Sequence, residues 1–346
     1  MSDATVDRGR IPRITVKDLA RQLGMSVSTV SRAFYDDAVI APETREKVLR
    51  RAVEIGYQPN PLARGLITKS SRIVGLVVSD ITNPFYPEVM VRLTEQFQAE
   101  DFNVMLVVAS PTRNEEEAVR VLLSYHPDLV VMLATTLSSA ASASCRKVGT
   151  PVVFFNRVGS DENSYAVTCD NVLGGRLIAD HLIDRGHRRL GFVAGRPDAS
   201  TNVDRWHGFQ ARCAERGVAP PASTGGVAFS YEAGFAGALD LLNREEKPTA
   251  LFCANDILAI GAMDAARRGL GLSIPADLSV IGFDDIGMAS WSSHALTTVR
   301  QPIARMIDRT TALALALARG NAVQPAVERL PGELIDRNTT RFIDGQ

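Results

Sequence analysis

Three side chains near the N-terminus have the types and spacing to read DNA bases: Val27, Ser28 and Arg32, within Ser26-Val-Ser-Thr-Val-Ser-Arg32. Valine has no hydrogen-bonding atom and suits the methyl group of thymine. A serine hydroxyl is permissive, and a guanidinium can add a contact in the same groove. A second set lies far along the chain. Apolar runs there end on Asp80, Ser110, Thr135, Asn156 and Gly195, then on Asn255-Asp256 and Asp284-Asp285. In an open parallel sheet, ligands bind beyond the carboxyl ends of the strands. Turn and capping chemistry also puts polar residues at such ends, but their number favours a cleft.

Catalysis leaves no mark. A dinucleotide-binding enzyme would carry GxGxxG after its first strand, where this chain has Gly75-Leu-Val-Val-Ser-Asp80. GxSxG, GxxxxGK[ST] and HExxH do not occur either. The 5 His residues are scattered without ligand spacing. The cysteines, Cys145, Cys169, Cys213 and Cys253, form no CxxC pair and are expected as reduced, buried thiols. No catalytic residue, metal or cofactor is expected.

The elements that must position the first set are short helices. Val16, Leu19, Ala20 and Leu23 recur at helical spacing, Thr15 can cap the first turn with Asp18 three residues on, and Gly24 stops the helix. Ser26 can cap a second helix whose apolar side is Val30, Ala33 and Phe34. Two helices of about two turns joined by a Gly-containing turn are a helix-turn-helix, whose second helix lies in the major groove. A third helix starts near Pro42, shows Val48, Ala52 and Ile55 as its stripe, and ends at Gly56. Asn60-Pro61 can open a further two-turn helix containing Gly65, too short to be stable alone in water. It should fold when something holds it.

From Ile73 the pattern becomes βαβα. Strands are expected at Ile73–Val78, Val104–Val108, Leu129–Leu133 and Pro151–Phe155, with helices from Asn83-Pro84 toward Gln98, over Glu115–Tyr125 and in the Ala/Ser stretch before Pro151. After Asp170 the order restarts. Strands are read at Leu190–Val193, Val227–Phe229, Ala250–Cys253 and Ser279–Phe283. Helices are read at Val172–Arg185, Val203–Arg216, Tyr231–Leu242, Asp256–Arg268 and, since Ala and Leu are strong helix formers, Thr310–Arg319. Two such halves imply two doubly wound lobes with parallel sheets.

Charge supports the division. The 346 residues carry a formal net charge of -1, which alone would hide a DNA binder. Residues 1–72 hold 13 Lys+Arg against 8 Asp+Glu, and the remainder 25 against 31. A basic head on an acidic body confines the electrostatic footprint to one end. Met1 to Pro12 is polar and charged, not a signal peptide, and no apolar run nears a membrane span. A cytoplasmic protein with no membrane contact is expected.

Taken together, Asp18-Leu-Ala, Gly24-x-Ser26-x-Ser-Thr-Val-Ser-Arg32, Thr44-Arg-x-x-Val48 and Gly56-Tyr-x-Pro-Asn60-x-x-Ala63-Arg-x-Leu66 resemble the DNA-binding head and hinge of the lactose-repressor/purine-repressor family. The likeness continues through Asn83-Pro-Phe-Tyr86-x-Glu88, Gly186-His187-Arg-Arg-Leu-Gly-Phe, Arg205-x-x-Gly208-Phe209, Ala254-Asn-Asp256 and Leu278-Ser-Val-Ile-Gly-Phe-Asp284-Asp285, so it covers nearly the whole chain. Tyr35 stands where the family often has Asn. Ala41 stands where Ser or Thr commonly caps the third helix, a change costing about 1 kcal/mol. The Arg that the family places before the Ser/Thr-rich cleft loop is not evident; Ala199, Ser200 and Thr201 occupy that loop.

The resemblance implies a multidomain fold. Residues 1–57 would be an all-α helix-turn-helix domain and 58–71 a hinge helix and linker. Residues 72–346 would be a periplasmic-binding-protein-like α/β body, with lobe 1 at about 72–168 and 299–328 and lobe 2 at about 169–298 and 329–346. It implies DNA contacts from Thr15, Ser26, Val27, Ser28, Thr29, Ser31 and Arg32, and from Asn60, Ala63, Arg64 and Leu66 of the hinge, where Leu66 would wedge into the minor groove. Arg205 and Asp284 match the family's effector-binding pair, and Asp80, Phe85, Tyr86, Asn156, Thr201, Phe229 and Asn255 would line the cleft. The partners implied are double-stranded palindromic operator DNA, a small-molecule effector of the sugar type, and a second copy of the chain. The expected function is a repressor released by its effector; tightening by the ligand is the alternative, since linkage leaves the sign free.

Overall fold

The computed structural model describes residues 14–35, 38–59, 70–79, 81–110, 113–133, 139–159 and 164–343. The expected hinge helix, with Asn60, Ala63, Arg64 and Leu66, lies outside the described residues, as do Asp80 and Thr135. The chain divides into two units, 1–71 and 72–346.

The first unit is built from α1 (Val16–Leu23), α2 (Val27–Arg32) and α3 (Pro42–Ile55). Thr15 and Asp18 form a reciprocal capping box, and Gly24 ends α1 in the left-handed conformation. Ser26 caps α2 through the Thr29 amide. Ala41 gives α3 no side-chain cap, while Pro42 supplies the preset φ of a first turn. Leu19, Ala20, Val30, Ala33, Val48 and Ala52 close the core, and Phe34 packs edge-on to Tyr57 with ring centroids 5.6 Å apart.

The second unit holds two six-stranded sheets. In lobe 1, β1 (Ile73–Val78), β2 (Asn103–Val108), β3 (Leu129–Leu133), β4 (Val152–Phe155) and β5 (Tyr165–Cys169) are joined by β11 (Val327–Leu330) in the order β11-β5-β4-β3-β1-β2, all parallel. In lobe 2, β6 (Leu190–Val193), β7 (Ala222–Ser223), β8 (Ala250–Cys253), β9 (Ser279–Asp284) and β10 (Thr297–Arg300) lie as β12-β10-β9-β8-β6-β7, with only β12 (Glu333–Ile335) antiparallel. The chain therefore crosses between sheets three times: after β5, after β10 and after β11. Helices α4 (Phe85–Ala99), α5 (Glu115–Leu123), α6 (Ser139–Lys147) and α11 (Ile303–Ala318) serve lobe 1. Helices α7 (Asn171–Asp184), α8 (Ser200–Glu215), α9 (Tyr231–Leu242) and α10 (Asp256–Asp264) serve lobe 2, with a π-helical turn at Ala265–Gly269.

Three expectations are corrected. Val227–Phe229 is not a strand. The edge of β6 is taken earlier, by Ala222 and Ser223, and Thr224 donates its amide to Phe192, whereas Val227 is 75% exposed. The helix expected from Val203 begins at Ser200, so Thr201 stands in its first turn and not in a loop. The helix expected at Thr310–Arg319 begins at Ile303, because the connector from β10 enters it directly.

Helices α7 and α8 approach so closely that a Cβ on Gly208 would lie 2.0 Å from the Val172 carbonyl oxygen, and one on Gly175 2.3 Å from that of Arg205. This contact fixes the height of Arg205 over its sheet. Two buried histidines tie down the C-terminal segment: His187 faces Thr249 Oγ1 at 2.9 Å and the Arg341 carbonyl at 3.2 Å, and His181 faces Thr340 Oγ1 at 3.0 Å. Desolvation pushes His187 down to about 4. The unfolded chain then binds the proton more readily, so stability is full above about pH 6.5 and is lost as pH falls toward 4. We expect His187 to cost the body about 2 kcal/mol between pH 7 and pH 5. Denaturant melts of wild type and His187→Gln check this; an equally steep loss in the variant would contradict it.

Candidate DNA-reading helix and effector cleft

On α2 the exposed side chains are Val27, Ser28 and Arg32, with Thr29 and Ser31 half-buried; Val30 is fully buried against α1 and α3. Thr29 and Ser26 share a 2.8 Å hydroxyl contact at the cap, and Thr15 Oγ1 donates to Asp18 at 2.7 Å. These three hydroxyls shape helix starts, while Val27, Ser28 and Arg32 project from the far side of α2 from its core. A short helix anchored on one face and open on the other can enter a major groove.

The body holds a cleft of about 200 Å³ between its lobes. Lobe 1 contributes Asn83, Phe85, Tyr86, Asn156 and Arg157. Lobe 2 contributes Thr201, Arg205, Phe229, Asn255 and Asp284. Each position follows from the sheets. Asn83 Oδ1 accepts the Phe85 amide at the start of α4, whose first two rings pack edge-on at 5.2 Å. Asn156 follows β4 with φ +55, and Asp284 ends β9 with φ +119. Left-handed backbone at non-glycine residues is strained and concentrates at functional sites. Asn255 caps α10 through the Leu258 amide.

Arg205 is the centre of lobe 2's wall. Its Nε donates to Asn171 Oδ1 at 2.8 Å, Nη1 to the Ala254 carbonyl at 2.6 Å and Nη2 to Asp284 Oδ1 at 3.1 Å. The guanidinium carbon lies 3.7 Å from the centroid of the Phe283 ring. Asp284 Oδ1 also accepts Gln301 Nε2 at 2.7 Å. Burial pushes the Asp284 carboxyl up, and the Arg205 guanidinium pulls it back toward the charged form. A held guanidinium and carboxylate beside aromatic faces can clasp the hydroxyls of a small ring or polyol with charge-assisted hydrogen bonds.

Of the strand-end residues, Asp256 and Asp285 turn to structure. Asp256 accepts Thr298 Oγ1 at 2.6 Å and the Ile286 amide at 2.9 Å. Asp285 accepts Arg300 at 2.7 Å and Arg337 at 2.6 Å, pinning the connector strands. Sequence reasoning missed Asn83, Arg157 and Gln301. Asn83 and Arg157 adjoin positions already singled out. Gln301 sits in a lobe crossing, which no periodicity signals. Among the described residues no His, Cys, Asp and Glu group could hold a metal ion, and no helix is long and apolar enough to cross a membrane.

A helix-turn-helix head on a two-lobed body with a buried polar cleft defines a ligand-responsive DNA-binding regulator. Residues 15–60 match the family described as bacterial regulatory proteins, lacI family, and residues 179–340 a periplasmic binding protein-like domain. The chain is 33% identical to the HTH-type transcriptional regulator GalS of Salmonella typhimurium, over 95% of this chain and 97% of that one. Its structure is similar to the lac repressor dimer bound to operator and the anti-inducer ONPF, at a TM-score of 0.85 with 26% identity, covering 95% of this chain and 100% of that one. It is also similar to a LacI family transcriptional regulator from Enterococcus faecium with bound ribose, at a TM-score of 0.71 with 26% identity, covering 79% and 100%. The chain belongs to the LacI family of bacterial transcriptional regulators.

Proposed function

We propose that this regulator is a repressor that binds a palindromic operator as a dimer and is released when a sugar or sugar derivative enters the cleft. The observation that carries it is the Arg205–Asp284 pair, 2% and 4% exposed, with Arg205 on α8 and Asp284 at the end of β9, lining a cleft in a chain that also carries α2. Val27, Ser28 and Arg32 are the base-reading residues of this proposal, and 58–71 is its hinge. The lac repressor dimer on its operator supports the dimeric, DNA-bound form, and the ribose-bound relative supports a sugar. The work is binding and not catalysis, carried out in the cytoplasm where the DNA is.

A thermal-shift screen of sugars, sugar acids and nucleobases, followed by operator binding with each hit, tests this reading. At a hundredfold excess over Kd a ligand adds about 2.7 kcal/mol to stability, a shift of several degrees. A hit must also weaken operator binding. Hits that leave operator binding unmoved would contradict the proposal.

A further inference from the structure

Asp256 is fully buried at the first position of α10 and does not line the cleft, yet it adjoins two residues that do. Asn255 precedes it and caps α10, and Asp284 ends β9. Asp284 and Asp285 are both left-handed, with φ +119 and +58. Non-glycine residues keep such backbone only where the surroundings over-determine it. The next amide, that of Ile286, donates to Asp256 Oδ2 at 2.9 Å, and Thr298 Oγ1 lies 2.6 Å from Oδ1. Gly282 makes room for this approach: a Cβ there would stand 2.2 Å from Oδ1. One carboxyl thus ties together the start of α10, the turn after β9 and the strand before a lobe crossing. Other side chains reach the same turn, Arg300 and Arg337 on Asp285, Arg205 and Gln301 on Asp284. Those four hold carboxylates, whereas Asp256 holds backbone, where the strain lies.

The ionisable groups around Asp256 are Asp284, Asp285 and the Cys253 thiol, and among the described residues it forms no ion pair. Burial, then Asp284, push its carboxyl well above the usual range, so the grip does not depend on a charge. An amide of the same shape can accept from Ile286 and meet Thr298 with an N–H.

Resting on the reading of the cleft as the effector site, we infer that Asp256 is a positioning residue for effector binding. It holds the Asp284–Asp285 turn in its strained form, so that the Asp284 carboxylate meets Arg205 and an effector hydroxyl. It touches no effector itself.

Hydrogen exchange on the full chain tests the grip without a ligand. The segment 284–290 should exchange roughly tenfold faster in Asp256→Ala than in wild type, while β1 and β3 keep their protection, and Asp256→Asn should restore it. Calorimetry with ribose, glucose, galactose, ribonate and gluconate then reads the site, well below each variant's melting temperature. Any of these that binds wild type should bind Asp256→Ala at least about tenfold more weakly and Asp256→Asn nearly as well as wild type. A residue serving stability alone would lower the melting temperature and leave both readings unmoved. Unchanged exchange in Asp256→Ala, wild-type affinity in it, or an Asp256→Asn no better than Ala would each overturn the inference. Where Asp256→Ala fails to fold, Thr298→Val, which removes the hydroxyl beside Oδ1, should show both losses in smaller measure; neither loss there would overturn it. If none of the five binds wild type, the exchange comparison decides alone. Asp284→Asn separates the two levels. A sugar lost in Asp284→Asn but kept in Asp256→Ala sinks the positioning role and leaves the cleft assignment standing. A sugar that binds Asp284→Asn with wild-type affinity sinks the cleft assignment itself.

Discussion

Replacing Asp284 by Asn is expected to cut effector affinity by a hundredfold or more, roughly, and to make operator binding blind to the ligand. The reason is the environment of the pair. Arg205 is held by three acceptors, of which Asp284 alone is charged, and both side chains are almost wholly buried. Removing one partner of a buried, hydrogen-bonded charge pair typically costs about 2–5 kcal/mol, much of it from the charge left behind. An amide at 284 keeps the shape and one acceptor, so the loss is electrostatic and not a cavity. Arg205→Ala should lose the effector too, but it also empties the space between α7, α8 and β9 and frees Asn171, so a drop in melting temperature should accompany it. Calorimetry with a screened effector, paired with a gel shift, reads both effects. Wild-type affinity in Asp284→Asn would remove the pair from the effector site.

The second large effect belongs to α2. Exchanging Val27 and Ser28 for other side chains should change which operator is preferred, with little change in nonspecific DNA affinity. Both are exposed at the start of α2, and neither contributes to the core formed by Leu19, Val30 and Val48. Each mismatched base pair typically costs about 1–3 kcal/mol, so a double swap at 27 and 28 should move specificity by up to a few hundredfold at one or two positions per half-site. Selection from randomised duplexes, run for wild type and Val27→Ala/Ser28→Ala, shows it. An identical consensus from both would mean that other residues read the bases.

The helix-turn-helix was legible because its local signals agree: the capping box at Thr15 and Asp18, the Ser26 cap, the Gly24 stop and an apolar stripe that all pack inward. The body's central strands were legible for a similar reason. They are buried on both faces and read as unbroken apolar runs, as in Ile73–Val78 and Leu129–Leu133. The strands missed are of another kind. β5 mixes Tyr, Thr and Cys into its run, β10 is the four-residue Thr-Thr-Val-Arg, β11 carries Glu328 and Arg329 at the sheet edge, and β12 has three residues. These are also the strands beside the lobe crossings, so the sequence placed the two halves but not the threads between them. Gln301 was hidden for that reason: its value comes from lying in a crossing beside Asp284, and a single glutamine has no spacing to betray it. Arg157 was hidden because one Arg after a strand reads as a surface charge until its burial is known.

The central claim is that one chain couples the cleft to the operator, and equilibrium binding of labelled operator DNA with and without effector tests it most directly. The duplex would be one selected by the wild-type protein, and the effector one whose affinity for the cleft is known by calorimetry. Saturating effector should weaken operator binding at least about tenfold, and saturating operator should weaken effector binding by the same factor, because the coupling free energy is shared. Operator affinity unmoved by an effector that demonstrably fills the cleft would contradict the account.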